Sequence, residues 1–131
     1  DESDPEESDG ATACHALLPP EWLEFTGVIA GLEYRTGEAA IQRAPPILAR
    51  IAAGLHASPR LRLVIVGHAD EREAPELSRR RAERVQAELI AHGAPATQLE
   101  LRAVGADEPS GLGPAHDRRV ELAPRLDHEP P

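Results

Sequence analysis

The sequence predicts a mixed α/β fold (an α+β sandwich), with two helices packed on one four-stranded sheet in the order β-α-β-α-β-β. Three observations carry that expectation. Two segments repeat apolar residues at helical spacing, Ile47, Ile51 and Leu55 in one and Ala82, Val85 and Leu89 in the other. Between and after them lie short β-type runs, Leu61–Val66, Leu99–Val104 and Arg119–Leu122. Hydrophobic residues make up 40% of the 131 residues while aromatics are only 2%, so the core must be aliphatic. Ala-rich helices over a small sheet suit that composition better than a β-sandwich.

Residues 1–20 are acidic and then irregular, and are expected to be a disordered tether, because a run such as Asp4-Pro5-Glu6-Glu7 has no apolar surface to bury. The domain is expected over 21–124. Leu32-Glu33-Tyr34 reads as the end of a first strand, and Pro45-Pro46 opens the first helix, where proline is tolerated. Ser58-Pro59 ends it. The run Leu61-Arg62-Leu63-Val64-Ile65-Val66 turns continuously apolar, as a strand covered on both faces would.

Pro75 starts the second helix, which runs to about His92, with Gly93 as a natural C′ residue. Leu99–Val104 alternates as a half-exposed strand, Gly105–Pro114 is loop, and Arg119–Leu122 is the last strand. The polar stretch from Pro124 is expected to fray, leaving 125–131 as a tail. Helices that connect strands imply parallel pairing, with an antiparallel hairpin at the end.

The net charge of −9 argues against nucleic acid as a partner. All 14 basic residues are arginine, whose planar fork suits carboxylates. No stretch approaches the length of a transmembrane helix, and the alternation of an outer-membrane barrel is missing. No signal-peptide pattern is present, so an export signal is expected either to have been cut away or to lie outside this sequence. Cys14 is the single cysteine, and its weak likeness to a lipoprotein cleavage site lacks a preceding apolar stretch.

Chemistry concentrates where Gly67-His68-Ala69-Asp70 leaves the second strand. Open α/β sheets place ligands beyond their strands' C-terminal ends, near helix N-termini. Asp70 leaves the strand there, and Arg81 lies about two turns into the next helix. Such a pair is either an ion pair tying loop to helix or a reader of zwitterions, Asp taking an ammonium and Arg a carboxylate. His68 with Asp70 lacks a third metal ligand, so a hydrogen-bonded structural histidine is expected and no metal. Arg79 and Arg80 read as a solvated helix face, Ser78 as part of the helix's first turns, and Trp22 with Phe25 as an apolar cap. No phosphate loop, nucleophile set or acid/base pair is present, so neither a cofactor nor an enzyme is expected.

At these residues the sequence resembles the OmpA-like domains, which include the peptidoglycan-associated lipoproteins and the stator proteins of flagellar motors. The resemblance covers about Trp22 to Ala123. It rests on Leu32-Glu33-Tyr34 with Thr36-Gly37-Glu38-Ala39, on Gly67-His68-Ala69-Asp70, on Leu77-Ser78-Arg79-Arg80-Arg81-Ala82, on Gly93, and on Asp117-Arg118-Arg119-Val120-Glu121-Leu122.

It implies a noncatalytic periplasmic domain, associated with the outer membrane or cell wall, that binds the diaminopimelate of the peptidoglycan stem peptide. Asp70 would take the ammonium, Arg81 the carboxylate, and Arg118 would lie near the same pocket. Ala69, Ala74 and Leu77 are accessory positions. Ala69 replaces the family's usual threonine, and Ala74 falls where a ligand-contacting asparagine belongs. Asp117 replaces another asparagine, and the loop after Asp70 is about four residues short and lacks its usual glycine. The alternative is a scaffold module, with envelope proteins as partners, that has lost the pocket. An open pocket lined by Asp70 and Arg81, several ångströms apart, would favour binding; the two locked together with the short loop filling the site would favour the scaffold.

Overall fold

A computed structural model of the chain describes residues 26–29, 34–41 and 44–126. The elements in chain order are β1 (Gly27–Val28), α1 (Pro46–Ala57), β2 (Leu61–Gly67), α2 (Glu76–Ala91), a 3-10 turn (Ala96–Gln98), β3 (Leu99–Ala103), the one-turn α3 (Pro114–Asp117) and β4 (Val120–Leu126). They form the expected mixed four-stranded sheet with two long helices, in the strand order β1-β4-β2-β3.

Both helices start and stop where the residue chemistry says they should. Pro45 and Pro46 open α1 and Ser58 closes it; Pro75 precedes α2, and Gly93 follows it with φ 106°, a left-handed conformation that suits glycine. The apolar stripes Leu48, Ile51, Ala52 and Leu55 of α1 and Ala82, Val85 and Leu89 of α2 are buried against Leu61, Leu63 and Ile65 of β2, while Ile47, expected in the first stripe, is only partly buried at its edge. Val64 and Val66, on the opposite face of β2, are buried as well, which explains the continuous apolar run. Buried Gln98 sends its amide nitrogen to the carbonyls of Leu55, Ser58 and Leu61, closing the end of α1.

The pairing departs from expectation at the C-terminal end. β3 runs parallel to β2, as a helical crossover requires, but β4 makes no hairpin with β3. It passes back across the sheet and inserts antiparallel between β2 and β1, from Gly67↔Val120 to Leu61↔Leu126, with Gly27↔Leu122 on its other edge. The stretch from Pro124 is therefore strand rather than frayed tail. Arg125 lies opposite Arg62 and its guanidinium reaches Glu100 at 2.7 Å. Residues 127–131 lie outside the described ones.

At the N-terminal side the strand is Gly27–Val28, and Tyr34 is a buried residue outside it. Leu32, Glu33, Trp22, Phe25, Cys14 and the acidic run 1–20 lie outside the described residues. No helix among the described residues is long and apolar enough to cross a membrane.

One close approach fixes the strand that carries the site. A Cβ on Gly67 would stand 1.9 Å from the Ser78 carbonyl oxygen, so β2 and the first turn of α2 touch backbone to backbone. Ser78 reinforces that contact: its hydroxyl donates to the Pro75 carbonyl and accepts from the Gly105 amide.

Candidate functional site

Beyond Gly67 the chain leaves the sheet without leaving its hydrogen bonds. The His68 amide donates to the Arg119 carbonyl at 2.9 Å and the Ala69 amide to the Gly105 carbonyl at 2.8 Å. Asp70 is thereby held at the strand end, 2% exposed. One of its oxygens accepts the Arg72 amide at 2.8 Å, and the other accepts Arg118 Nη1 at 2.9 Å. Arg118 also donates from Nε to the Tyr34 carbonyl. Its partner is thus Asp70, across the site, and not the adjacent Asp117, which takes the amide and hydroxyl of Ser110.

Arg81 is fully buried, and its guanidinium lies 4.9 Å from the centre of the Tyr34 ring. Its donors are all engaged. Nε donates to the Glu38 carbonyl, Nη1 to the His68 carbonyl and to Glu73 Oε1, and Nη2 to the Arg35 carbonyl and to Glu73 Oε2. A guanidinium has five N–H groups, so none is left over. Asp70 and Arg81 are therefore neighbours in one site but not each other's partner.

The residue between them is Glu73, from the short loop. Its carboxylate is closed from solvent and bound by four N–H groups: the Arg81 fork at 2.8 and 2.5 Å, the Gly37 amide at 2.7 Å and the Asp70 amide at 2.9 Å. Gly37 reaches it from a turn closed by the Glu38 amide on the Arg35 carbonyl, where Gly37 has φ 78°. Burial works to push the Glu73 carboxyl up. The hydrogen bonds from Arg81, Gly37 and Asp70, with the Arg81 charge, outweigh it and hold the group below the usual carboxylate range. The loop that carries Glu73 borders an open groove of about 490 Å³, lined in part by Glu71, Pro75, Glu76, Arg79 and Asp107.

The remaining expected residues are placed as follows. Ala69 and Leu77 are buried and Ala74 is exposed. Arg79 and Arg80 are exposed, as a solvated helix face should be. His68 is buried and its Nε2 pairs with Glu121 Oε1 at 2.8 Å, while Nδ1 has no partner. Burial, and then the Arg119 charge, lower its pKa against the opposing pull of Glu121 and Glu108. No group of three or more His, Cys, Asp or Glu among the described residues could hold a metal ion.

Three site residues escaped the sequence reading: Glu73, the Gly37 amide and the Tyr34 ring. The sequence shows an acidic loop before the helix arginine, but nothing in it separates Glu73 from Glu71.

With this geometry in place, the model of the OmpA family matches residues 34–120, more than half of the chain. The chain belongs to the OmpA family. Solved structures of the same fold include the peptidoglycan-associated lipoprotein from Burkholderia pseudomallei. It is 26% identical at a TM-score of 0.69, over 79% of this chain and 92% of that one. The C-terminal domain of Helicobacter pylori MotB is 25% identical at a TM-score of 0.64, over 76% of this chain and 87% of that one. The OmpA-like domain of FopA1 from Francisella tularensis shares the fold at 15% identity, with a TM-score of 0.61, over 82% and 86% of the two chains. The comparison with curated protein sequences gives no match.

Proposed function

We propose that this OmpA-family chain is a noncatalytic periplasmic module that anchors a cell-envelope protein to peptidoglycan. Its ligand is the zwitterionic end of diaminopimelate in the stem peptide: the carboxylate is taken by Arg81 and the ammonium by Asp70, with Arg118 at the same site. The observation that carries this reading is the set of four N–H donors, from Arg81, Gly37 and Asp70, converging on one carboxylate. A receptor of that kind is built for a carboxylate; Asp70 lies beside it, and its oxygens are held by Arg118 and the Arg72 amide, so a ligand ammonium would have to compete with Arg118 for it. The family relationship to a peptidoglycan-associated lipoprotein supports the choice of ligand.

A second reading has its own observation. Every Arg81 donor is satisfied within the chain and the short loop fills the site, which favours an envelope scaffold that does not hold the stem peptide.

Co-sedimentation with purified sacculi separates the two. Under the anchoring reading, wild type is retained, Asp70→Ala is lost, and the charge-free pair Glu73→Gln/Arg81→Met is lost while circular dichroism shows it folded. Equal retention of all three, or retention of none, removes the anchoring reading.

A further inference from the structure

We infer that Glu73 is a built-in competitor for this site, an internal carboxylate that occupies the receptor until a ligand carboxylate replaces it. The identity of the ligand rests on the anchoring reading above; the occupancy of the receptor does not.

Three observations support the inference. First, the geometry is that of a bound ligand rather than of an ordinary surface pair: a bidentate fork plus two backbone amides from separate segments, Gly37 and Asp70, all on one carboxylate. Second, the two halves of the contact are unequally anchored. Arg81 is tied to the carbonyls of Arg35, Glu38 and His68 and stacked by Tyr34, so it stays in place without Glu73. Glu73 sits on a loop whose neighbours Glu71, Arg72 and Ala74 are exposed. Third, there is somewhere for Glu73 to go. The loop borders the open groove, where solvent and Arg79 can receive a displaced carboxylate; Glu71, Glu76 and Asp107 also line it, so solvation rather than a strong ion pair would hold Glu73 there.

A consequence for specificity follows. An intramolecular carboxylate competes at an effective concentration that a free monocarboxylate cannot match. A ligand opens the receptor only if it brings a second interaction, such as an ammonium for Asp70. Simple carboxylates are therefore excluded from the wild-type site, and a zwitterion is admitted. Removing the Glu73 carboxylate lifts that restriction.

The test uses two probes on wild type, Glu73→Ala and Glu73→Gln. Acetate, added to thermal melts, is expected to raise the Tm of Glu73→Ala in a saturable way and to leave wild type unchanged. Free meso-diaminopimelate, followed by calorimetry, is expected to bind Glu73→Ala at least tenfold more tightly than wild type. Glu73→Gln, which keeps the loop packed, guards against loss of fold and is expected to gain affinity by a smaller factor. Equal diaminopimelate affinity in all three proteins, with no acetate effect, overturns the inference and leaves the anchoring reading standing. Acetate rescue without diaminopimelate binding in any protein upholds the competitor and overturns the anchoring reading. No acetate effect together with no diaminopimelate binding in any of the three proteins overturns both.

Discussion

Glu73 and Arg81 face each other as carboxylate and guanidinium, joined by two bonds of 2.8 and 2.5 Å and both closed from solvent. Eight residues apart in sequence, they join the shortened loop to α2, and the backbone of Arg35, Gly37, Glu38, His68 and Asp70 completes the shell. A buried pair of this kind is costly to break from one side, because the partner left behind stays charged and desolvated.

Glu73→Ala is accordingly expected to lose about 3–5 kcal/mol of unfolding free energy in buffers without carboxylate. Glu100→Ala removes an equally short contact, 2.7 Å to Arg125, but that pair is solvent-exposed. Its loss is expected to stay below about 1 kcal/mol. Urea denaturation of the two variants side by side checks the contrast, and similar losses in both would contradict the account of the buried pair.

The Glu73 carboxyl also makes acid stability predictable in sign. Its folded pKa lies below the ordinary value of 4.5, so the folded state binds fewer protons than the unfolded chain. Its contribution is fully present above that ordinary value and is lost as pH falls through the lower folded one. Asp117, held low by Ser110, contributes in the same direction in every variant, so the difference between proteins isolates Glu73. The urea midpoint of wild type should fall more steeply than that of Glu73→Gln between about pH 5 and pH 3. Parallel slopes would assign the acid sensitivity elsewhere.

His68 tests burial against pairing. Its Glu121 partner would raise the pKa, yet burial and the Arg119 charge lower it below 6.5. The neutral ring donates from Nε2 to Glu121 and leaves Nδ1 unprotonated in the interior. Because the unfolded chain takes up the proton first, this group removes stability as pH falls below about 6.5. An NMR titration should place the His68 midpoint below 6.5, whereas a midpoint above 6.5 would mean that the Glu121 pairing outweighs burial.

Gly67→Ala is expected to destabilise the domain by at least about 2 kcal/mol, since its methyl would stand 1.9 Å from the Ser78 carbonyl oxygen and backbone must move. Differential scanning calorimetry reads this as a lowered Tm. Gly111→Ala is an instructive contrast, because nothing lies within 4 Å of its Cβ and the strain there comes only from its φ of 81°.

The elements with a repeating apolar face were legible in the sequence because burial imposes the period: the stripes of α1 and α2 and the run of β2 all lie where the pattern put them. The position of β4 was not legible. Val120–Leu122 announces a strand, but nothing local says that it pairs with β2 and β1 instead of β3, or that Pro124 and Arg125 continue it. The site divides in the same way. Asp70, Arg81 and Arg118 do come together, since helix register and strand end fix where each begins. Their pairing could not be read, because it depends on which side chain the short loop turns inward, and Glu71 and Glu73 are equally acidic on paper. Only the fold shows Glu71 outside and Glu73 on Arg81.

The most direct test is a crystal structure of the domain with a diaminopimelate-containing stem tripeptide. The ligand carboxylate is expected on the Arg81 fork and the Gly37 amide, its ammonium at Asp70, and Glu73 turned out toward Arg79. Glu73 still seated on Arg81 at saturating tripeptide, with the peptide elsewhere or unbound, would contradict this arrangement.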